Sequence, residues 1–338
     1  MKTLHIPEVG EMLVADEPVP APKNGEVLLK LAYVGFCGSD LNTFLGRNTM
    51  AKANVVPGHE IGATIAAIGE CVTGALKVGD IVTVNPYTNC GTCPSCRNLR
   101  ANACQHNETL GVQRDGAMRE FVTVPWQKVI PVDGISLRDC ALIEPMSVGF
   151  HAVSRAQVTD NDVVVVIGCG MVGLGAVVRA VRRGATVIAV DLSEEKLDIA
   201  KSLGAKFGIN SAKDKIADKV MELTNGMGAD VVIEAVGAPV TYVAAIDAVC
   251  FTGRVVCIGY AKSEVAFQTK YFVQKELDIR GSRNAMPNDF RAVMRMMART
   301  KLPMESFISG IIAPEEAQKT MEQWAANPGQ VFRILVKF

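Results

Sequence analysis

The sequence has no excess of charge of either sign and no long apolar run, and each shortage excludes a class of partner. Its 338 residues carry 35 Lys and Arg against 35 Asp and Glu. Such a balance argues against nucleic-acid and anionic-membrane partners, because both favour basic surfaces. No apolar run reaches the roughly 18 residues that a transmembrane helix needs. The first residues lack the apolar core of a signal peptide, so we expect a cytoplasmic protein.

Histidine is also scarce, whereas cysteine is not. Four histidines form no metal-binding pattern by themselves, but the chain has 10 cysteines. In a reducing compartment a tight cysteine cluster indicates metal or redox chemistry rather than disulfides. At about 100–200 residues per domain, the length predicts two domains.

The apolar pattern changes along the chain. Residues 1–150 contain short strand-like runs between frequent Pro and Gly, at 26–35, 61–69 and 77–85. Residues 162–281 alternate buried-strand runs (163–167, 186–190, 231–235 and 255–259) with helical patterns (171–184 and 194–204). Two more helical patterns (287–298 and 314–325) and a strand (331–338) follow. The alternation predicts an α/β fold with a doubly wound parallel sheet, joined to a β-rich domain.

A glycine-rich turn lies between the first strand and the first helix of the alternating region. It reads Gly168-Cys169-Gly170-Met171-Val172-Gly173. In this context the glycines allow a tight turn, a close approach of the backbone to a pyrophosphate, and helix–strand packing. We therefore predict a dinucleotide site here; the alternative is a glycine-rich turn without a ligand.

Asp191 ends the next strand, where an acidic residue accepts hydrogen bonds from the adenosine ribose. A 2′-phosphate would meet like charge there, so NAD is favoured over NADP. Cys169 is interpreted as a small residue within the turn rather than a redox thiol.

Four cysteines lie close together in a loop, spaced Cys90-x2-Cys93-x2-Cys96-x7-Cys104. Four thiolates close a tetrahedral zinc shell and predict a structural site. An iron–sulfur cluster is the chemical alternative, and unliganded thiols are a second one. The other cysteines of apolar or turn segments are expected to be small core residues: Cys71, Cys140, Cys169, Cys250 and Cys257.

Other candidate ligands are dispersed, each beside or near Gly or Pro: Cys37, His59, Glu60 and Glu144. A thiolate, an imidazole and a carboxylate are the ligands of open catalytic zinc sites. Spacing alone does not establish such a site.

The order of these motifs resembles the medium-chain zinc-dependent alcohol dehydrogenase (dehydrogenase/reductase) superfamily over essentially the whole chain. The segment 142–149, LIEPMSVG, looks like the polyol branch, which includes sorbitol and threonine dehydrogenases. The segment 281–285, GSRNA, is similar to sugar-acid members such as L-galactonate 5-dehydrogenase.

The resemblance implies a GroES-like zinc catalytic domain at 1–152 and 286–338 and a Rossmann NAD-binding domain at 153–285. It implies catalytic zinc ligands at Cys37, His59 and Glu144, with Glu60 as a direct or exchanging ligand, and Ser39 as the start of a proton relay. The expected cofactor contacts are Gly168, Gly170, Met171, Val172, Gly173, Asp191, Lys196, Gly237 and Gly259.

The implied reaction is zinc-assisted hydride transfer from a secondary alcohol of a polyol or sugar acid to NAD, in a cleft between the domains. Arg114 and Arg283 are candidates for a substrate carboxylate; alternatively each is a surface residue, or Arg283 a cofactor contact. Relatives have a relay histidine where this chain has Asn42, which cannot exchange protons near neutral pH. His151 is a candidate replacement, although packing within a helix is its simpler interpretation.

Two alternatives remain. A zinc-free quinone or enoyl reductase would lack the cysteine cluster. A protein that senses NAD, or is structural, would keep the fold without turnover, and Asn42 leaves room for that. We expect a small hydroxylated substrate and a homodimer or homotetramer, whose sheets pair edge to edge near the strand at Val255.

Overall fold

The computed structural model describes residues 1–338, which form two compact units. The first comprises Met1–Glu144 and Met286–Phe338, and the second Pro145–Ala285. The first boundary between the units lies between Glu144 and Pro145, earlier than the expected residue 152. It falls within a helix, Ile143–Ala156, which begins in one unit and continues into the other.

In chain order, the strands are β1 (Lys2–His5), β2 (Leu13–Asp16), β3 (Glu26–Phe36), β4 (Glu60–Ile68), β5 (Ile81–Val84), β6 (Phe121–Pro125), β7 (Val129–Pro131), β8 (Val163–Ile167), β9 (Thr186–Asp191), β10 (Phe207–Asn210), β11 (Ala229–Glu234), β12 (Val249–Cys257), β13 (Asp278–Gly281), β14 (Gly310–Ile312) and β15 (Ile334–Lys337). The α-helices are α1 (Gly38–Phe44), α2 (Pro94–Arg97), α3 (Leu137–Cys140), α4 (Ile143–Ala156), α5 (Met171–Arg182), α6 (Glu194–Ser202), α7 (Ile216–Leu223), α8 (Pro239–Ala248), α9 (Lys270–Gln274), α10 (Pro287–Arg299) and α11 (Ala317–Ala326).

The first unit is built on a sheet in the order β14-β15-β3-β4-β5-β7, with β6 also paired to β3. In β3, Lys30 is exposed, but the residues around it (Val27, Leu28, Leu29 and Leu31) are buried, so both faces of the strand are covered along part of its length. Antiparallel pairing places Gly35, near the end of β3, opposite Glu60 at the start of β4. This register brings the segment after β3 next to the residues that precede β4.

The second unit is a parallel sheet in the order β10-β9-β8-β11-β12-β13. The strand β8 is buried along most of its length between β9 and β11 and consists of Val and Ile, whose branched side chains suit a sheet covered on both faces. The chain order reverses between β8 and β11. In such sheets ligands bind beyond the carboxyl ends of the strands at this switch point. The predicted α/β fold with a doubly wound sheet is confirmed.

Several local expectations are wrong. The strand at Val255 is not at the sheet edge, because β13 pairs along its outer side. The last helix begins at Ala317, since Pro314–Glu316 forms a separate 3-10 turn.

Two of the five presumed core cysteines are also not core residues. Cys71 is exposed and Cys250 is half-buried, whereas Cys140 and Cys169 are fully buried and the half-buried Cys257 packs against the core of the second unit. Cys71 lies in the turn after β4, with φ 58°.

Candidate active site and metal centres

The four-cysteine loop gathers its sulfur atoms around one point. The ligand atoms of Cys90, Cys93, Cys96 and Cys104 all lie within 4.8 Å of one another. The Sγ of Cys104 is 3.6 Å from that of Cys90 and 3.8 Å from that of Cys93. Two sulfurs bound to one zinc stand about 3.8 Å apart, given tetrahedral bonds of about 2.3 Å. The four thiols thus have the spacing of a zinc shell, and none forms a disulfide.

Backbone amides support these sulfurs as thiolates. The amide of Cys93 donates to Sγ of Cys90 at 3.3 Å, and the amides of Cys90 and His106 donate to Sγ of Cys104 at 3.3 and 3.4 Å. Amide donors favour the charged form of a thiol and orient it toward a metal. The loop therefore fits a structural zinc ion.

A second donor group lies where β3 ends and β4 begins. Cys37 follows β3 as the N-cap of α1, and His59 and Glu60 lie at the start of β4. Their ligand atoms lie within 4.8 Å of one another. Gly35 makes room for this arrangement, because a Cβ there would come within 2.3 Å of Oε2 of Glu60.

Unsatisfied polar atoms in this group fit a bound cation. His59 is 5% exposed and Glu60 is fully buried, yet Nδ1 of His59 and Oε2 of Glu60 make no hydrogen bond, and Oε1 of Glu60 has only its ion pair with Arg333. Buried polar atoms without partners are costly. A divalent cation with open positions would satisfy both residues, and a thiolate, an imidazole and a carboxylate are suitable zinc donors.

The electrostatics of the group also favour a cation. Burial opposes ionisation of Cys37, but hydrogen bonding to His59 and its charge outweigh burial and lower the pKa of the thiol to about 7. For His59, burial lowers the pKa, but the hydrogen bond and negative charge of Cys37 raise it well above its usual value. Burial raises the pKa of Glu60 well above the usual range, with partial relief from Arg333. The chain thus concentrates acidic groups that a metal would hold deprotonated.

Glu144 lies near this group but has a protein partner. It is 4% exposed and occupies the first turn of α4, where its Oε1 accepts a hydrogen bond from the hydroxyl of Tyr87. The set of three donors within 4.8 Å therefore contains Glu60 and not Glu144. Tyr87 was missed by sequence reasoning, although its place just before the cysteine loop was a usable signal.

Two more buried charged residues escaped sequence reasoning. Arg333, 5% exposed, approaches Oε1 of Glu60 to 3.1 Å and donates to the carbonyl oxygen of Phe36. Asp40, 1% exposed, accepts from the amide of Cys37 at 2.7 Å. Arg333 thus fixes the carboxylate of Glu60 and the backbone of Phe36, and Asp40 fixes the backbone amide of Cys37.

The predicted relay is only partly visible. The hydroxyl of Ser39, two residues after Cys37, is buried and makes no hydrogen bond, so it is available to a substrate hydroxyl. Asn42 lies one turn further along α1. His151 is 7% exposed within α4, in the second unit, as expected of a packed helical histidine.

The glycine-rich turn of the second unit has the geometry of a dinucleotide site. Gly168 has φ 94°, a conformation that favours glycine. A Cβ on Gly173 would come within 1.7 Å of the carbonyl oxygen of Gly168, whereas one on Gly170 would meet nothing within 4 Å. Gly173 thus permits the turn to pack against α5, and Gly170 leaves open space at the N-terminus of that helix, where Met171 and Val172 begin it.

Asp191 ends β9 beside this turn. Its carboxylate accepts hydrogen bonds from the amides of Cys169 at 2.7 Å and Ser193 at 3.0 Å. These bonds fix its orientation, which is what a ribose-binding carboxylate requires.

The remaining expected cofactor residues also belong to this unit. Gly237 follows β11 and Gly259 follows β12, and a Cβ on Gly259 would lie 2.1 Å from the amide nitrogen of Gly237. Close packing of two loops beyond the strand ends thus requires glycine at Gly259. Lys196 is buried in the first turn of α6. Arg283 belongs to this unit, whereas Arg114 belongs to the unit that holds the metal-binding groups.

None of the helices is both long and apolar enough to cross a membrane. Comparison with known families matches residues 23–134 to the alcohol dehydrogenase GroES-like domain and residues 172–299 to the zinc-binding dehydrogenases.

Curated relatives match the chain along its full length. It is 32% identical to L-galactonate-5-dehydrogenase of Escherichia coli K12, with 100% of this chain and 99% of that protein covered. It is 33% identical to a sorbitol dehydrogenase of Halalkalibacterium halodurans, with 99% and 98% covered.

A crystal structure of an Escherichia coli CFT073 alcohol dehydrogenase with NADH superposes with a TM-score of 0.92 at 27% identity, covering 100% of this chain and 99% of that one. Since two family matches and full-length relatives agree with the fold and with both cysteine-containing donor groups, the chain belongs to the polyol branch of the zinc-dependent medium-chain alcohol dehydrogenases, which are NAD(P)-dependent oxidoreductases.

Proposed function

We propose that this protein oxidises a secondary alcohol of a polyol or sugar acid to a ketone, with NAD as the hydride acceptor. The observation that carries the proposal is the buried group of Cys37, His59 and Glu60, whose ligand atoms converge within 4.8 Å while the imidazole and carboxylate keep unpaired atoms. The relatives named for L-galactonate and sorbitol support the substrate class.

The catalytic zinc would be held by Cys37, His59 and one carboxylate, with Glu60 and Glu144 as the candidates. Zinc in such a site supplies a Lewis acid that acidifies a hydroxyl, and NAD supplies the hydride acceptor. The chain contributes orientation, because Asp40 fixes the amide of Cys37 and Tyr87 fixes Glu144.

Ser39 is the proposed first proton acceptor. Its buried hydroxyl lacks a partner and so can take a hydrogen bond from the substrate hydroxyl and pass the proton on. Since Asn42 cannot serve as an acid or base, we propose that water carries the proton from Ser39 to solvent.

NAD rather than NADP is the proposed cofactor. The fixed carboxylate of Asp191 is suited to the two ribose hydroxyls, and a 2′-phosphate would bring negative charge against it.

We also propose a cytoplasmic homodimer or homotetramer. The edge strand β13 exposes 46% of Ile279, which supports an edge that pairs with a second copy. Light scattering coupled to gel filtration would test this, and a monomer at micromolar concentration would contradict it.

The experiment that tests the function is a screen of polyols, aldonates and sugar phosphates with NAD, followed by the absorbance of NADH. Cys37→Ala should abolish turnover while NAD binding, measured by fluorescence, stays nearly unchanged. Near-normal turnover in Cys37→Ala would refute the zinc mechanism. If none of the substrates yields NADH although the protein holds zinc and NAD, the NAD-sensing alternative is favoured.

A further inference from the structure

Two cations lie beside the segment Pro86–Asn89, which joins β5 to the cysteine loop. The guanidinium of Arg114 donates from Nε to the carbonyl oxygen of Glu108 and from Nη2 to that of Pro86, each at 3.3 Å. The ammonium of Lys128 donates to Oδ1 of Asn89 at 3.2 Å. All of these acceptors are neutral, and neither cation forms an ion pair.

Both cations are partly removed from water. Burial lowers the pKa of Arg114, with the charge of Glu108 acting in the opposite direction. Burial also lowers the pKa of Lys128, and the positive charge of Arg114 lowers it further. Two like charges gathered in a half-buried place are unfavourable unless an anion joins them.

Spare donors are available for such an anion. Of the five N–H groups of a guanidinium, Arg114 uses those on Nε and Nη2, and Nη1 has no acceptor in the protein. Lys128 uses one of its three donors. Guanidinium and ammonium groups side by side suit the oxygens of a carboxylate or a phosphate.

The position of this pair connects it to the metal-binding group. Pro86, whose carbonyl Arg114 holds, directly precedes Tyr87, whose hydroxyl holds Glu144. Arg114, Glu144 and Lys128 are thus contacted by three residues of one short segment, Pro86, Tyr87 and Asn89. In a six-carbon sugar acid or hexitol phosphate, the anionic end group is several bonds away from the most distant hydroxyls. One substrate molecule can therefore present its anion to the cation pair and a hydroxyl to the metal-binding group.

We propose that Arg114 and Lys128 form a subsite for the anionic end group of the substrate, a carboxylate or a phosphate remote from the hydroxyl that is oxidised. The inference rests on the proposed oxidation of polyols and sugar acids and narrows it to anionic substrates. It predicts that an aldonate or a hexitol phosphate is preferred over an uncharged hexitol.

The test compares Arg114→Gln and Lys128→Gln with Arg295→Gln, which removes an exposed charge from α10 of the same unit. Steady-state kinetics are measured with sorbitol, with gluconate or galactonate, and with a hexitol phosphate. For the anionic substrates each of the two variants should raise KM about 10- to 100-fold, because a charge-assisted hydrogen bond is lost. For sorbitol, kcat/KM of Lys128→Gln should stay within about twofold of the wild type, as it should for Arg295→Gln with every substrate. Arg114→Gln also loses its bond to the carbonyl of Pro86, so it is assessed by the ratio of its loss with the anions to its loss with sorbitol, which should be about 10 or more. The anionic substrate whose KM rises in these variants shows whether the subsite binds a carboxylate or a phosphate.

A binding measurement makes the outcome independent of turnover. Calorimetric titration of gluconate and of inorganic phosphate into the NAD-loaded protein should give heat with the wild type and much weaker binding with Arg114→Gln. Equal losses for sorbitol and the anions, or unchanged anion binding in both variants, would overturn the subsite. If sorbitol is oxidised but no anion binds, the subsite is refuted while the proposed function stands. Anion binding that needs Arg114, without oxidation of any substrate, would support the subsite and reject the oxidation.

Discussion

The hydroxyl of Tyr87 donates a hydrogen bond to Oε1 of Glu144, and both side chains are almost completely buried. Burial, followed by the charge of Glu144, raises the pKa of Tyr87 well above its usual value, so the hydroxyl keeps its proton and remains a donor. The ring of Tyr87 also packs edge-to-face on Phe290 at 6.5 Å between centroids. Tyr87 therefore holds one of the two carboxylates proposed as ligands of the catalytic metal.

Tyr87→Phe should weaken the catalytic metal site without disturbing the cysteine loop. The ring packing is retained, but the hydrogen bond that orients Glu144 is lost. Loss of such a partner lowers metal affinity or activity about 10- to 100-fold. Competition with a chromophoric chelator should show one zinc per chain bound more weakly and the other unchanged.

Tyr33→Phe is the matched control, since it removes a hydroxyl from β3 for which the structure shows no hydrogen bond. Identical zinc affinity in Tyr87→Phe and Tyr33→Phe would show that Tyr87 has no role in positioning the ligand.

Cys96→Ser should remove the structural zinc and destabilise the first unit. The loop from Cys90 to Cys104 contains only short helical turns, so its order depends on the metal. Zinc analysis should fall from about two to about one per chain, with a lower Tm. Cys71→Ser, which changes an exposed cysteine outside the loop, should leave both values unchanged. Full zinc content in Cys96→Ser would contradict the four-thiolate site.

Asp191→Ala should reduce the preference for NAD. The variant loses the carboxylate that would bind the ribose hydroxyls, and each hydrogen bond to a charged group contributes about 1.5–3 kcal/mol. The KM for NAD should rise at least about tenfold, whereas the KM for NADP should change little or fall. Asp198→Ala, at an exposed position of α6, is the control. An unchanged ratio of the two KM values would assign cofactor choice to other residues.

Sequence alone predicted the second unit better than the first. The run of Val163–Ile167 and the glycine pattern after it encode a buried parallel strand and a turn through local chemistry, and both are present as expected. By contrast, β1 and β2 of the first unit alternate poorly, so local pattern did not indicate them, although they pair with each other across a short connection. In the second unit β10 was missed as well, because it is short and polar at its end.

The metal-binding group shows the same limit. Cysteine spacing sufficed for the loop because its ligands are local. Cys37 and Glu60 meet only through the antiparallel register of β3 and β4, and Arg333 reaches them from the C-terminal strand region. Tyr87 and Arg333 act as partners of acidic groups, a role that a single sequence does not reveal.

Replacing two glycines of the same turn by alanine should affect different properties: stability for Gly173 and NAD affinity for Gly170. In Gly173→Ala the new Cβ meets the carbonyl oxygen of Gly168 at 1.7 Å, so the backbone must shift. We expect a stability loss of about 1–3 kcal/mol or more, measured by urea denaturation.

In Gly170→Ala the Cβ meets no protein atom within 4 Å, and φ −72° is ordinary for alanine. Its stability should stay close to that of the wild type, but the methyl group would occupy the space proposed for the pyrophosphate, so NAD affinity measured by calorimetry should fall. Unimpaired NAD binding by Gly170→Ala would show that the pyrophosphate does not approach this position, because a methyl group in its path should weaken binding. The dinucleotide would then have to bind elsewhere.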